Sequence, residues 1–153
     1  MSVPGPLIGV FGGSDPDPKD YLAAEVVGRE IARRGGIVVC GGLFGIMEAV
    51  CKGAREQQGL TVGILPSDSI QQANRFVTIP IATGMGVGRN ILIVRTAQVC
   101  IAINGRYGTL SEIAYALQLG KPVVALHPWL RVPGIEFAQT PAEAVDKAFQ
   151  YLR

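Results

Sequence analysis

Short apolar runs alternate along this chain with longer stretches in which apolar residues recur every three or four positions. Leu7-Ile8-Gly9-Val10-Phe11, Ile37-Val38-Val39-Cys40, Leu60-Thr61-Val62-Gly63-Ile64-Leu65, Val99-Cys100-Ile101-Ala102-Ile103 and Pro122-Val123-Val124-Ala125-Leu126 are largely apolar, with no clean alternation. Such runs predict strands covered on both faces. Arg75-Phe76-Val77-Thr78-Ile79 reads as a further strand, stopped by Pro80. Between the strands lie helical patterns. The first buries Ala24, Val27 and Ile31, starts at an Asp17 cap with Pro18 at the first helical position, and ends at Arg33-Arg34-Gly35-Gly36. A second runs from near Gly45 to about Gln58, and a third contains Arg89 and leads into the strand at Val99. The fourth carries Leu110, Ile113, Ala114, Leu117 and Leu119 up to Gly120-Lys121-Pro122, and the last follows Thr140 with Ala144, Val145, Ala148 and Leu152. Trp129 to Phe137 has neither period and reads as an irregular connection.

Strands alternating with helices at these lengths predict βαβ units, and so an α/β fold with helices on both faces of a doubly wound, mainly parallel sheet. Residues 1–153 are expected to form one domain. Right-handed crossovers put all strand C-terminal ends on one edge, and ligands of such sheets bind there, where the strand order reverses. That edge collects four loops: Gly12-Gly13-Ser14, Gly41-Gly42, the segment from Gly84 to Arg89, and the turn at Gly105.

Composition narrows the picture in three ways. Glycine supplies 20 of 153 residues, clustered between apolar runs, as expected where loops approach a ligand closely. A net charge of +2 with scattered Lys and Arg offers no basic stripe for nucleic acid. Cys40, Cys51 and Cys100 show no CxxC spacing and no paired histidines, and the two in strand-like runs, Cys40 and Cys100, are expected as buried reduced thiols. The apolar stretch from Leu92 to Ile103 is cut by Arg95 and Gln98, so no membrane span is expected, and the reading is a cytoplasmic protein.

The chemistry concentrates in Asn104-Gly105-Arg106-Tyr107-Gly108-Thr109-Leu110-Ser111-Glu112. Two glycines, an arginine and a threonine sit between a strand and a helix, where free N–H groups and the positive helix end suit an anion. Thr109-Leu110-Ser111-Glu112 also fits a plain capping box, as does Thr140-Pro141-Ala142-Glu143, which has no glycine loop before it. Spacing alone leaves both readings of Glu112 open. A dinucleotide dehydrogenase is disfavoured because the first turn lacks GxGxxG and Cys40-Gly41 stand where an acid is expected. No GxxxxGK[ST] is present, which disfavours a P-loop NTPase.

Gly105-Arg106-Tyr107-Gly108-Thr109-Leu110-Ser111-Glu112 resembles the PGGxGTxxE signature of the Lonely-guy (LOG) family and its SLOG relatives. These are Rossmann-like proteins that include nucleotide 5′-monophosphate phosphoribohydrolases, often labelled lysine decarboxylases, and molybdenum-cofactor carriers. Gly9-Val10-Phe11-Gly12-Gly13-Ser14 is similar to the family's opening strand and turn, and Cys40-Gly41-Gly42-Leu43-Phe44-Gly45-Ile46-Met47-Glu48-Ala49 to its GGGxxGLM segment. Thr83-Gly84-Met85-Gly86-Val87-Gly88-Arg89-Asn90 is most similar to the carrier-like subfamily.

The resemblance implies a three-layer Rossmann-like fold and a small phosphorylated nucleotide or pterin as ligand. It makes Gly12, Gly13, Ser14, Gly41, Gly42, Gly105, Arg106, Tyr107, Gly108 and Thr109 candidates for ligand and phosphate binding, and Arg89 and Glu112 the candidate catalytic pair. The leading expectation is hydrolysis of the N-glycosidic bond of a nucleoside 5′-monophosphate to base and ribose 5-phosphate. There a carboxylate stabilises the oxocarbenium-like ribosyl centre and a guanidinium fixes the substrate. The alternative is a non-catalytic carrier in which molybdenum cofactor is cargo; a nucleotide-sensing module is a third class. No required cofactor and no metal are expected, and no lysine signature supports pyridoxal-phosphate chemistry. Asn90 stands where the hydrolases carry lysine, Arg106 replaces the second glycine of PGG, and Asn104 its proline. If that glycine position needs φ > 0, Arg106 is strained or the loop has rearranged; otherwise Arg106 reaches a second anionic group. His127, the sole histidine, reads as a loop residue without a special role. Family members are dimers or larger, and the apolar segment Ile91-Leu92-Ile93-Val94 adds to the expectation of a homo-oligomer, dimer or tetramer.

Overall fold

The computed structural model describes residues 4–153. Seven strands, β1 (Leu7–Gly12), β2 (Ile37–Cys40), β3 (Thr61–Leu65), β4 (Ile79–Ala82), β5 (Val99–Ile103), β6 (Val123–Leu126) and β7 (Glu136–Ala138), form one sheet in the order β4-β3-β2-β1-β5-β6-β7. Every pairing is parallel. The helices are α1 (Pro18–Arg33), α2 (Ile46–Glu56), α3 (Asn90–Thr96), α4 (Tyr107–Gln118) and α5 (Pro141–Gln150).

Alternate side chains of the central strands serve the two faces, as the strand period of two requires. On one face Ile8, Val10, Val38, Cys40, Ile101, Ile103 and Val124 meet α1, α2 and α5 through Ala24, Val27, Val50 and Val145. On the other, Phe11, Val39, Cys100, Ala102 and Ala125 meet α3 and α4 through Ile93, Val94, Ile113 and Ala116. This is the three-layer, doubly wound arrangement that the apolar pattern predicts. α1 and α2 pack backbone to backbone: a Cβ on Gly28 would lie 2.0 Å from the Val50 carbonyl oxygen, and one on Gly53 would lie 1.9 Å from that of Glu25. The Asp17 cap is present, its carboxylate accepting from the Asp20 N–H at 2.8 Å with Pro18 opening the helix. Thr140 likewise caps α5 by accepting from the Glu143 N–H at 3.1 Å.

Two strand expectations are corrected. The fourth strand is Ile79–Ala82 and contains Pro80, instead of ending before it. β4 lies at the sheet edge, where one row of N–H groups has no partner strand and proline is tolerated. Residues 75–78 form a turn instead: buried Asn74 donates to the Leu43 carbonyl at 2.7 Å and accepts from the Phe76 N–H at 2.9 Å, drawing Phe76 and Val77 onto the core. The connection after Trp129 contains a three-residue strand, β7, paired with β6 at the opposite edge. So short a strand, carrying Glu136, has no period to read. Among the described residues no helix is long and apolar enough to cross a membrane.

Candidate functional site

The strand order runs outward from β1 to β4 and restarts with β5 on the other side of β1. The loops leaving β1 and β5 therefore diverge to opposite faces and leave a crevice between them. A cavity of about 720 Å³ opens there. Its wall includes Gly12, Gly13, Ser14, Asp15, Asp17 and Asp20 from the β1–α1 side, Leu43, Ile46 and Met47 from α2 and its approach, and Val87, Arg89 and Asn90 before α3. The β5–α4 side adds Asn104, Gly105, Arg106, Gly108, Thr109 and Glu112.

The two glycine loops face each other closely: a Cβ on Gly13 would come within 3.8 Å of the Gly105 Cα. Gly12 is required by packing, since a Cβ there would lie 2.4 Å from Ile46. Gly105 is required by conformation as well: its φ is +101°, and a Cβ would meet the Thr109 hydroxyl at 2.2 Å. Asn104 precedes it at φ +46°, a left-handed backbone that asparagine tolerates. Arg106 has φ −141°, so the position that carries glycine in the related motif bears no left-handed strain here. The left-handed residues of this loop are Asn104 and Gly105.

α4 starts at Tyr107 with no side-chain cap. Its first intrahelical bond runs from the Leu110 N–H to the Arg106 carbonyl at 2.9 Å, so the N–H groups of Tyr107, Gly108 and Thr109 precede the helical ladder. Thr109 is the third helical residue rather than the cap, so the capping-box reading of Glu112 fails. Glu112 instead lies on the cavity wall, 8% exposed, with no hydrogen-bond partner to its carboxyl among the described residues. Burial pushes its pKa from 4.5 to about 8, against the opposing pull of the Arg89 guanidinium. Burial thus favours the protonated form of Glu112 at neutral pH.

Arg89 is buried at the same wall, but its guanidinium is engaged. Nε donates to the Ile64 carbonyl at 2.8 Å and Nη2 to the Gly41 carbonyl at 3.3 Å, while Nη1 donates to the Asn90 side-chain oxygen. Burial lowers its pKa, with Glu112 acting in the other direction. Asn90 passes the connection on to α4 by donating to the Ser111 hydroxyl at 3.1 Å, which itself donates to the Gly108 carbonyl at 2.6 Å. The residue that replaces the hydrolases' lysine is thus a tie between α3 and the phosphate-type turn.

Of the residues singled out in the sequence, Gly12, Gly13, Ser14, Arg89, Gly105, Arg106, Gly108, Thr109 and Glu112 come together in one cavity wall. Gly41, Gly42 and Tyr107 lie outside it. Gly41 backs Arg89, where a Cβ would lie 2.4 Å from Nη2, and Gly42 packs on Leu65 and Gly63. Tyr107 is 78% exposed and meets Trp129 edge-on, ring centres 5.1 Å apart. Arg106 lies over the same Trp129 ring at 5.1 Å while donating to the Gly105 carbonyl at 3.2 Å.

Sequence reasoning missed Asp20. It is 3% exposed, and its carboxylate accepts from Asn104 Nδ2 and pairs with His127 Nδ1, each at 2.8 Å. His127 is therefore no idle loop residue. Asp20 looks in sequence like an ordinary first-turn acid of a helix, and nothing local signals partners 84 and 107 positions away. Cys40 and Cys51 lie buried with sulfurs 3.5 Å apart; the hydrogen bond between them and then burial hold the Cys51 thiol strongly protonated, and burial pushes Cys100 to about 12. No metal-binding group of His, Cys, Asp or Glu is present among the described residues.

With this geometry in hand, the comparison with known proteins is specific. Residues 6–150 match the family model described as the SLOG cluster4 family. The chain belongs to the SLOG cluster4 family. A relative from Archaeoglobus fulgidus, described as an uncharacterized protein, is 45% identical over 139 residues, covering 91% of each chain. Among solved structures, the molybdenum cofactor binding protein from Rippkaea orientalis superposes with a TM-score of 0.91 at 32% identity, covering 99% of this chain and 100% of that one. The molybdenum cofactor carrier protein from Chlamydomonas reinhardtii gives a TM-score of 0.87 at 33% identity, covering 96% and 98%. The SLOG framework and the carrier-like likeness of this chain thus extend across nearly its whole length.

Proposed function

We propose that the cavity binds a phosphorylated pterin of the molybdenum-cofactor class and that this SLOG protein carries the ligand without cleaving it. The observation that carries this reading is the state of the Arg89–Glu112 pair. Glycosidic cleavage draws on an ionised carboxylate beside the ribosyl centre and a cation free to grip the substrate. Here burial pushes Glu112 up to about 8, and three of the five Arg89 N–H groups are committed to two backbone carbonyls and Asn90. Whole-length likeness to two molybdenum-cofactor binding or carrier proteins supports the same reading.

The residues fit such a cargo. A volume of about 720 Å³ lies within the range of about 300–1,000 Å³ usual for small-molecule sites. The phosphate is assigned to the turn Gly105–Thr109, where the first-turn N–H groups of α4 meet the anion, with Arg106 beside them. A helix end contributes about 0.3–2 kcal/mol toward an anion, so it orients the phosphate while the rest of the wall supplies affinity. Ser14 and the Asp15–Asp17 loop face this turn and offer acceptors for the amino and ring N–H groups of a pterin.

A second reading is hydrolysis of a nucleoside 5′-monophosphate, favoured by one feature: a protonated, unpartnered Glu112 is the form that a general acid needs. Two measurements separate the readings. Mass spectrometry of ligand released from protein purified without oxygen is expected to give a pterin phosphate. Incubation with AMP and other 5′-monophosphates is expected to release no base. Base release that falls about 10²–10⁴-fold in Glu112→Gln would replace the carrier by the hydrolase.

A further inference from the structure

We propose that Asp20 is a positioning residue for the phosphate turn, clamping the ends of β5 and β6 so that Asn104 and Gly105 hold their left-handed backbone against the cavity. The inference rests on the phosphate assignment above for its function, but not for its geometry. Asn104 follows the last residue of β5 and His127 the last residue of β6, and both have positive φ, +46° and +49°. The Asn104 N–H already donates to the Leu126 carbonyl at 3.0 Å, so the two strand ends leave the sheet side by side. Asp20 takes one hydrogen bond from each, 2.8 Å to Asn104 Nδ2 and 2.8 Å to His127 Nδ1, from a first-turn position on α1.

A buried carboxylate in the wall of an anion cavity is costly unless its neighbours donate to it. Asp20 is therefore spent on the clamp and leaves the anion to the turn. The remaining titratable groups of the wall are Asp15, Asp17, Arg106, Arg89 and Glu112.

Asp20→Ala removes both acceptors, whereas Asp20→Asn keeps the shape and can satisfy both neighbours if the Asn104 amide turns over. Binding of inorganic phosphate is measured by titration calorimetry at one fixed pH for wild type and both variants. Asp20→Ala is expected to weaken phosphate about tenfold, and Asp20→Asn to recover most of that loss. In parallel, the amide resonances of Gly105 and Arg106 in phosphate-free protein should move in Asp20→Ala. Wild-type affinity together with unmoved amides in Asp20→Ala would overturn the proposal. If wild type takes up no phosphate, the amides alone decide: movement in Asp20→Ala upholds the clamp while the phosphate assignment fails. Should Asp20→Ala not fold, Asn104→Gly keeps the left-handed backbone and removes the anchor; it is expected to weaken phosphate about tenfold and shift the same two amides. Wild-type affinity and unshifted amides in Asn104→Gly would equally overturn the clamp.

Discussion

Replacing Glu112 by glutamine keeps the length of the side chain and removes its proton equilibrium. In the unfolded chain this carboxyl ionises near 4.5, and in the folded protein near 8 because burial outweighs the pull of Arg89. Below pH 4.5 both states hold the proton, and the group adds no pH dependence. Between the two values the unfolded chain has released a proton that the folded protein retains, so raising the pH favours unfolding. Above pH 8 both states are ionised and the loss is complete. At about 1.4 kcal/mol for each pH unit, the loss reaches about 3 kcal/mol at pH 7 and about 5 kcal/mol above pH 8. That is a large part of the stability of a domain this size, typically about 5–15 kcal/mol. Urea denaturation of wild type and Glu112→Gln across pH 4 to 9 gives the difference curve directly, since all other groups cancel. The variant is expected to gain relative to wild type between pH 4.5 and 8, with a slope near one proton per molecule, and the difference levels off outside that range. A flat difference between pH 4.5 and 8 would show that Glu112 is ionised in the folded state, and would remove the main argument against hydrolysis.

Three further outcomes follow from the geometry. Gly28→Ala pushes a methyl to 2.0 Å from the Val50 carbonyl oxygen and is expected to cost at least about 1–3 kcal/mol in denaturant unfolding; unchanged stability would mean that α1 and α2 can separate freely. Trp129 is the sole tryptophan, so Arg106→Ala should shift its emission and cost no more than about 1 kcal/mol; identical spectra would place Arg106 off the ring. The segment from Ile79 to Leu92 exposes Ile79, Ile81, Met85 and Val87 and leaves Ile91 and Leu92 half-buried, although α4 covers Ile93 and Val94. Light scattering is expected to give a multiple of 16.2 kDa, and a single-chain mass at every concentration would show that this face needs no second copy.

The sequence by itself determined the layered architecture. Runs such as Ile37–Cys40 and Val99–Ile103 are apolar at every position and fit only strands covered on both faces, and the helical patterns between them demand parallel crossovers. It also located the turn at Gly105, because a left-handed backbone packed on Thr109 leaves room for no other residue. Local chemistry sufficed there: periodicity, caps and glycine act within a few residues of where they are read. Tertiary structure decided the rest. Pro80 sits inside a strand because that strand became an edge, and Thr109-Leu110-Ser111-Glu112 is not a cap because α4 begins at Tyr107. Arg89 and Glu112 read from the sequence as a catalytic pair, but only the fold ties the guanidinium to Ile64, Gly41 and Asn90 and buries the carboxyl so that its pKa rises. Asp20 met Asn104 and His127 only when β1, β5 and β6 came side by side. Burial and long-range partners set the charge and the freedom of a side chain, and neither is written in its neighbours along the chain.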